Sequence, residues 1–542
     1  MNLKPFYFIF TSLFLFTYLK AQISEHGKLK VDKILSELDA NEPGIIIGIV
    51  TKEESYAKGK GKEVMGKAAQ LSPQTPFFLS SISKEFIGVT IAQLVLEGTI
   101  ELNAPIQEYI TDFPTYEVNP TIYQVLHHSS GIKDYSNLLY FRGEVFDDFL
   151  PIGYIIELLK KQKSLNFTPG SNFLYSNSNY ELLAEVISRV TGKDFRDYIK
   201  ENIFEPIGMN NTYFAGNQTA SVVGYRMNRN NILSPFPKGD SPPVSVAQII
   251  STVNDMALWD KYLTKKLFDQ DKLGSLLLTK GKLDNGRQLV YSMGFEHFSY
   301  KEQSTIGHGG FSRGFQGNHT HFKDHGFSII IFSNSLKYNT NYYTNRIADI
   351  LFKDIGIEKT KNKNTPIPNL ILSKKESKPY LGSYYSPQNK MERVIYRDQG
   401  IMRYNRPDKF ESRLVSLGNH EFQMLNGNNE LTSKISFEFY ESGINILKYH
   451  FPNSDQVVEY YKFDYHDYKP KELQQFEGTY YSEELDFEFK IKVSDGKLEL
   501  FRAGKKVSTL KVFKENTFRD NKLAGIFEFE KDGIIKGFLL SQ

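Results

Sequence analysis

Phe78-Leu-Ser-Ser-Ile-Ser-Lys84 stands at the head of a long apolar stretch, and its Ser81-x-x-Lys84 spacing decides how the rest of the chain is read. On a helix that spacing puts a hydroxyl and an amine one turn apart, close enough for the amine to take the serine proton. An S-x-x-K by itself is equally a helix cap followed by a surface lysine. Two later segments change the reading. Tyr175-Ser-Asn177 brings a phenol and a carboxamide, and His308-Gly-Gly310 brings a glycine-lined edge that a substrate can approach closely. Together they supply a nucleophile (Ser81), two groups to handle its proton (Lys84, Tyr175) and a carboxamide to position amine or substrate (Asn177). His308, Gly309 and Gly310 would line the pocket, and the backbone N–H groups of Ser81 and Phe311 would hold an oxyanion.

Around these motifs the hydrophobic pattern alternates between strand and helix. Ile45 to Val50 reads as a buried strand, with its return in the glycine-rich stretch 58–66. From Ser83 to Glu97 the apolar residues recur at helical spacing and Gly98 stops them; Tyr180 to Val190 repeats the pattern before Gly192. A third helix starts near Thr252-Val-Asn-Asp255 and carries the single tryptophan, Trp259. Tyr291 to Phe295, the residues before His308, and Phe327 to Phe332 read as neighbouring strands. Strands at both ends of a helical middle predict an α+β domain.

Residues 359–376 lose all hydrophobic period and read as a linker. Beyond them the pattern is all strand, and it repeats. Leu381-Gly-Ser-Tyr-Tyr-Ser386 matches Glu477-Gly-Thr-Tyr-Tyr-Ser482, Gly400 matches Gly496, and Phe437-Glu-Phe439 with Gly443 matches Phe527-Glu-Phe529 with Gly533. The expectation is a catalytic domain over 22–358 followed by two small all-β barrel-like modules, 377–468 and 469–542. The modules carry no chemical signal. Gating of the cleft, polymer binding and homo-oligomerisation all remain open for them.

The chain has 542 residues, 66 Lys and Arg against 63 Asp and Glu, and no cysteine. The balanced charge, with no basic run among aromatics, excludes nucleic acid as the expected partner. The missing cysteines exclude disulfides, thiol nucleophiles and thiolate metal sites. Residues 1–21 read as an export signal: Lys4, an apolar run from Phe6 to Leu19, and Leu19-Lys20-Ala21 before Gln22. Its apolar run falls short of the about 20 residues a spanning helix needs, and no later segment is long and apolar enough. A periplasmic or secreted bacterial protein without a membrane span in its mature form is expected.

The chain resembles the serine β-lactamase and penicillin-binding-protein superfamily, on the branch of class C β-lactamases, D-aminopeptidases and related esterases. The resemblance covers about residues 30–350. It rests on the Ser81-x-x-Lys84 segment, Leu126-His-His-Ser-Ser-Gly131, Phe167-Thr-Pro-Gly170 before Tyr175-Ser-Asn177, Pro206-Ile-Gly-Met209, Ser251-Thr252 with Asp255, and Gly307-His-Gly-Gly310. It implies an antiparallel sheet flanked by helices plus a helical region, and an acyl-enzyme on Ser81 with no cofactor and no metal. Lys84 and Tyr175 would then share proton transfer, Asn177 would position, and His308, Gly309 and Gly310 would line the acyl pocket. The small peptide, amide or ester substrates of such an enzyme include D-amino-acid ones. A catalytic domain with two related β modules further resembles D-aminopeptidases. Two departures stand out: Ala247-Gln248 where members often carry paired glycines, and His308 where many penicillin-recognising members carry lysine. An unperturbed histidine is mostly neutral at pH 7, so a carboxylate-binding cation is missing. Esters, amides or peptides held by another end are favoured over β-lactams or C-terminal D-alanyl peptides, and a β-lactamase, a DD-peptidase and a non-turnover sensor are the alternatives.

Four other segments carry weaker signals. Gly310-Phe-Ser-Arg-Gly314 matches a G-x-S-x-G nucleophile elbow on Ser312, but lacks the apolar strand before it and the helix after it. His319-Thr-His-Phe-Lys-Asp-His325 approaches a metallo-hydrolase motif with one residue too many; His319 and His321 would share a strand face. Gly61 to Lys67 approaches a P-loop but has Ala68 where magnesium needs a hydroxyl. His128 reads as a loop brace.

Overall fold

The computed structural model describes residues 23–541 apart from 145–148, 216–221, 229–231, 238–243, 246–247, 269–270, 358–371, 387–390, 407–409, 426–430, 441–444, 451–456, 521–525 and 533. The export signal at 1–21, most of the linker and Ala247 therefore lie outside the described residues.

Helices α1 (Glu25–Ser36), α2 (Ser83–Leu96), α6 (Val253–Phe268) and α7 (Thr340–Asp354) cover one antiparallel sheet, while α3 (Tyr135–Arg142), α4 (Ile152–Lys160) and α5 (Asn177–Thr191) form a helical region joined to α2 through α5. Its strands are β1 (Ile45–Thr51), β2 (Ser55–Lys60), β3 (Glu296–Tyr300), β4 (Gln303–Ser312), β5 (Phe315–Phe322) and β6 (Phe327–Ser333), in the spatial order β3-β4-β5-β6-β1-β2. β1 is buried along its whole length because both faces of the sheet are covered. Ile45, Ile47 and Ile49 pack with α1 and α7, while Ile46 and Val50 pack with α2 and α6. The register Ile47↔Ile331 and Ile46↔Phe332 carries the same alternation into β6. Gly48 leaves room for Val253 at the start of α6, where a Cβ would come within 2.6 Å of its methyl.

The helix stops fall where glycine permits a left-handed turn: Gly98 has φ +76° and Gly192 φ +68°. One expected strand is not a strand. Tyr291 to Phe295 forms a turn in which the Ser292 N–H bonds the Phe295 carbonyl, and β3 begins only at Glu296. The turn is pressed into α2: a Cβ on Gly294 would fall 2.4 Å from the Lys84 carbonyl oxygen, and one on Gly88 would fall 2.2 Å from that of Met293. The apolar residues that suggested a strand are buried by this contact instead.

The repeat in the tail is structural. The first module is a closed eight-stranded barrel from Gly382–Ser386 to Val457–Phe463, sealed by pairing such as Ser383↔Phe463. The second has seven strands, from Gly478–Ser482 to Ile534–Ser541, whose first and last do not pair. With one strand fewer than the first module and no pairing between its ends among the described residues, the second barrel-like module is an open half-barrel. Both modules keep the same bond: Tyr384 Oη donates to the Tyr380 carbonyl at 2.8 Å, and Tyr480 Oη to the Phe476 carbonyl at 2.9 Å. The end of the stretch read as linker, Leu372 to Glu376, is packed on the first module: Arg397 donates to the Leu372 carbonyl and to Oγ of the following Ser377, each at 2.9 Å.

Candidate active site

Ser81 sits half-buried in a single turn, Ser80–Ile82, that feeds straight into α2. Ser80 before it has φ +51°, a left-handed conformation that costs a non-glycine residue energy. The turn is anchored from behind: the Leu79 N–H bonds the Ile249 carbonyl at 2.9 Å, and Ser83 Oγ accepts the Ile249 N–H at 2.9 Å.

Lys84 is 4% exposed and points back along the helix. Its Nζ donates to Ser81 Oγ at 3.3 Å and to Asn177 Oδ1 at 3.0 Å. The same ammonium stands 5.0 Å from the centre of the Tyr175 ring. Among the described residues no carboxylate pairs with it, so its polar contacts are the nucleophile and the carboxamide. Tyr175 Oη is buried and has no hydrogen-bond partner among the described residues, so its hydrogen-bonding capacity is unused. Two distant segments thus meet at one amine.

His308 lies 4% exposed on β4. Its Nδ1 is 2.6 Å from the Gly309 carbonyl oxygen, which can only accept, so Nδ1 carries the proton and Nε2 accepts from Tyr291 Oη at 3.1 Å. Burial, helped by the charge on Lys84, pulls its pKa down to about 3. It is a neutral side chain at pH 7. The next glycines have different tasks. A Cβ on Gly310 would fall 2.2 Å from the Leu79 carbonyl oxygen, so this glycine lets β4 touch the nucleophile turn, whereas a Cβ on Gly309 would meet nothing closer than 3.9 Å.

β3 pairs with β4 only as far as Gly307, leaving His308 to Ser312 with an open edge. Glu296, where β3 starts, accepts the backbone N–H of Gly309; burial lifts its pKa to about 7, with that bond and Lys84 opposing. The bond shows which way the strand's amides point. Gly309 directs its N–H toward the β3 side, and Phe311, two residues on, directs its own toward the same open edge. With the Ser81 N–H it can flank a carbonyl oxygen.

Three groups escaped sequence reasoning. Asp134 Oδ2 accepts both the backbone N–H of Asn177 at 2.6 Å and its Nδ2 at 2.9 Å, which forces Asn177 Oδ1 toward Lys84. In sequence Asp134 is an ordinary cap of α3, a task it also performs through Oδ1 and the Ser136 N–H. Tyr291, expected in a strand, lies in a turn and holds His308. Glu181, one turn along α5 from Asn177, is buried with Ser245 Oγ donating to it at 2.5 Å; desolvation raises its pKa to about 7.

The other motifs resolve as structure. Ser312 ends β4, and Arg313 (φ +50°) and Gly314 (φ +86°) form a hairpin turn into β5 with no helix behind it, so it is no elbow. Residues 61–68 form turns followed by no helix. His128 braces the Tyr175 segment: its Nδ1 accepts the Ser176 N–H at 3.2 Å and faces Asn179 Nδ2 at 3.1 Å. His319 and His321 do share a face, together with Asp260, as a group whose ligand atoms lie within 4.8 Å. His325 is turned away toward Gln303. His321 Nε2 is buried without a hydrogen-bond partner among the described residues, while the rest of the group is paired. His319 is held between Glu85 (2.9 Å) and Asp260 (2.9 Å), and although burial opposes its charge, the two carboxylates raise its pKa to about 10. Trp259 Nε1 donates to Glu85 at 2.8 Å. This is a buried ion network behind α2.

A family model described as Beta-lactamase matches residues 31–352, a span that contains every residue of the site. The chain belongs to the beta-lactamase family. Within that family it is similar to a D-aminopeptidase of Gluconobacter oxydans, with 22% identity over 325 residues, 58% of this chain and 60% of the relative. The chain thus matches about 60% of the length of that curated relative. Among solved structures it is similar to an octameric penicillin-binding protein homologue from Pyrococcus abyssi (21% identity, TM-score 0.52, 81% of this chain and 100% of that one). It is also similar to a D-amino acid amidase from Ochrobactrum anthropi SV3 (19% identity, TM-score 0.52, 61% of this chain and 99% of that one). At these identities the structures show a shared beta-lactamase-like fold. Among the described residues, no helix is long and apolar enough to cross a membrane.

Proposed function

We propose that the protein is an exported serine hydrolase that cleaves amide or peptide bonds through an acyl-enzyme on Ser81, with D-aminoacyl amides and short peptides as its first substrate class. The observation that carries this reading is Lys84 Nζ, shared between Ser81 Oγ at 3.3 Å and Asn177 Oδ1 at 3.0 Å beside the free phenol of Tyr175. In this mechanism Ser81 Oγ attacks the carbonyl carbon while its proton moves to Lys84 or Tyr175. The Ser81 and Phe311 N–H groups hold the oxyanion, and the collapsing intermediate expels an amine that takes the proton back. Water then attacks the acyl carbon by the same route and frees Ser81. The D-aminopeptidase and D-amino acid amidase relatives support the choice of amides. Neutral His308, in place of a cation, supports substrates without a carboxylate at that position.

Export by residues 1–21 and self-association through the β modules belong to the same proposal; N-terminal sequencing of the secreted protein and sedimentation velocity test them. For the chemistry, the mature protein is assayed with D-aminoacyl anilides, D-Ala-D-Ala peptides, acyl esters and a chromogenic cephalosporin, together with a serine-directed phosphonate probe. Turnover of the anilides, and phosphonate labelling, both lost in Ser81→Ala, are expected. Labelling without turnover of any substrate would favour a sensor, preference for the cephalosporin a β-lactamase, and preference for D-Ala-D-Ala a DD-peptidase.

A further inference from the structure

The second β module, although last in the chain, is the one joined to the catalytic domain. Leu473, Phe476, Leu485 and Phe489 belong to the same buried apolar cluster as Leu138, Phe141 and Ile155 of α3 and α4, whereas the first module keeps a core of its own. Arg502 Nη1 reaches the Phe141 carbonyl at 3.1 Å, at the end of α3.

One loop of this module does more than pack. Glu484, between the first two strands of the module, gives its carboxylate to Lys133 Nζ at 2.5 Å and to the Lys163 N–H at 2.7 Å. Its carbonyl accepts from Gln162 Nε2 at 3.1 Å. Lys133 is 9% exposed and pairs with no other carboxylate among the described residues; its second contact is Ser164 Oγ at 3.1 Å. Lys133 is also the residue before Asp134, which aims Asn177 at Lys84. The backbone between them is gripped from the other side by α5: Ser178 Oγ donates to the Lys133 carbonyl at 2.7 Å and accepts the Tyr135 N–H at 2.7 Å. Contacts therefore run without a break from Glu484 through Lys133, Asp134, Asn177 and Lys84 to Ser81.

We infer that Glu484 and Lys133 are positioning residues of the active site, and that the second β module is a strut that holds Asp134, and through it the Asn177 carboxamide, in register with Lys84. The inference rests on the acyl-enzyme reading above. A buried ammonium that loses its only carboxylate cannot stay where it is without large cost, so loss of Glu484 displaces Lys133 and with it the backbone of Asp134. A shift of about 1 Å in a positioning group is enough to slow chemistry on the order of a hundredfold.

The test is a double-mutant cycle in the full chain: wild type, Glu484→Ala, Lys133→Met, the double variant and Glu484→Gln. Two quantities are read well below the melting temperature: the rate of phosphonate labelling at Ser81, and amide hydrogen exchange over residues 133–136 and 176–179. Each single change is expected to slow labelling about tenfold and to speed exchange in both segments, while the double variant is no slower than the slower single one. Glu484→Gln keeps an acceptor for the Lys163 N–H and for Lys133 but removes the charge, and is expected to fall between wild type and Glu484→Ala. A Glu484→Ala protein within twofold of wild type in both readouts overturns the inference, as do losses that multiply to about a hundredfold in the double variant. If the wild type is not labelled, the hydrolase reading fails, and the exchange measurement alone decides whether the strut exists.

Discussion

Asp134 holds Asn177 twice through one oxygen, at 2.6 Å to the backbone N–H and 2.9 Å to the side-chain Nδ2. An amide gripped by its nitrogen has only its oxygen left to offer, and that oxygen is the one on Lys84. Asp134→Ala frees the carboxamide to rotate. The expected result is a kcat lowered about ten- to a hundredfold with KM for small anilides changed little, since the group acts on geometry rather than on substrate binding. The lost cap on α3 should cost only about 1 kcal/mol of stability, seen as a small drop in Tm. An unchanged kcat would show that Asn177 needs no such orientation.

Gly309 and Gly310 are adjacent and should respond in opposite ways. Gly310→Ala puts a methyl 2.2 Å from the Leu79 carbonyl oxygen and must push β4 away from Ser81. Gly309→Ala meets nothing closer than 3.9 Å. Phosphonate labelling should therefore fall on the order of a hundredfold in the first and stay near wild type in the second.

Removing His319 should uncover two buried carboxylates. In His319→Leu, Glu85 and Asp260 lose the cation between them, with an expected destabilisation of about 3–5 kcal/mol in denaturant titrations. The pH dependence has a definite sign. His319 is raised from its ordinary value of 6.5 to about 10 in the folded protein, so its contribution is complete below about pH 6.5 and is lost as pH rises toward 10. The gap in stability between wild type and His319→Leu should narrow over that interval. A gap that stays constant would mean that His319 is neutral in the folded state.

On the acid side the order reverses. Burial holds His127 and His321 at about 4, and His297 and His308 at about 3, so these side chains stabilise the fold as neutral groups above about pH 6.5 and oppose it as pH falls through those values. Chemical denaturation of the wild type at successive pH values should show stability falling steeply below about pH 6.

His308→Lys would place a cation where the structure has a neutral imidazole. The expected outcome is a rise in kcat/KM for peptides ending in a free carboxylate relative to the matching amides, measured on paired substrates. Equal ratios in the two proteins would place carboxylate recognition elsewhere.

The helix after Ser81, its stop at Gly98, the helix ending at Gly192 and the repeat of the β modules were all legible in the sequence, because each depends on neighbours a few residues apart: apolar spacing, a left-handed glycine, a recurring Gly-x-Tyr-Tyr. The same holds for Ser81 and Lys84, one helical turn apart. What only the tertiary structure decided are relationships across the chain. Tyr291 to Phe295 carries strand-like residues but is buried as a turn against α2. Asp134 looks like a helix cap until Asn177 arrives, 43 positions later, to share it. The second module remains an open sheet joined to the catalytic core, and no local pattern marks Glu484 as the partner of Lys133. Side chains record in sequence the conformation they favour locally; which distant charge or carbonyl completes them is fixed by packing, where burying a polar group obliges it to find a partner.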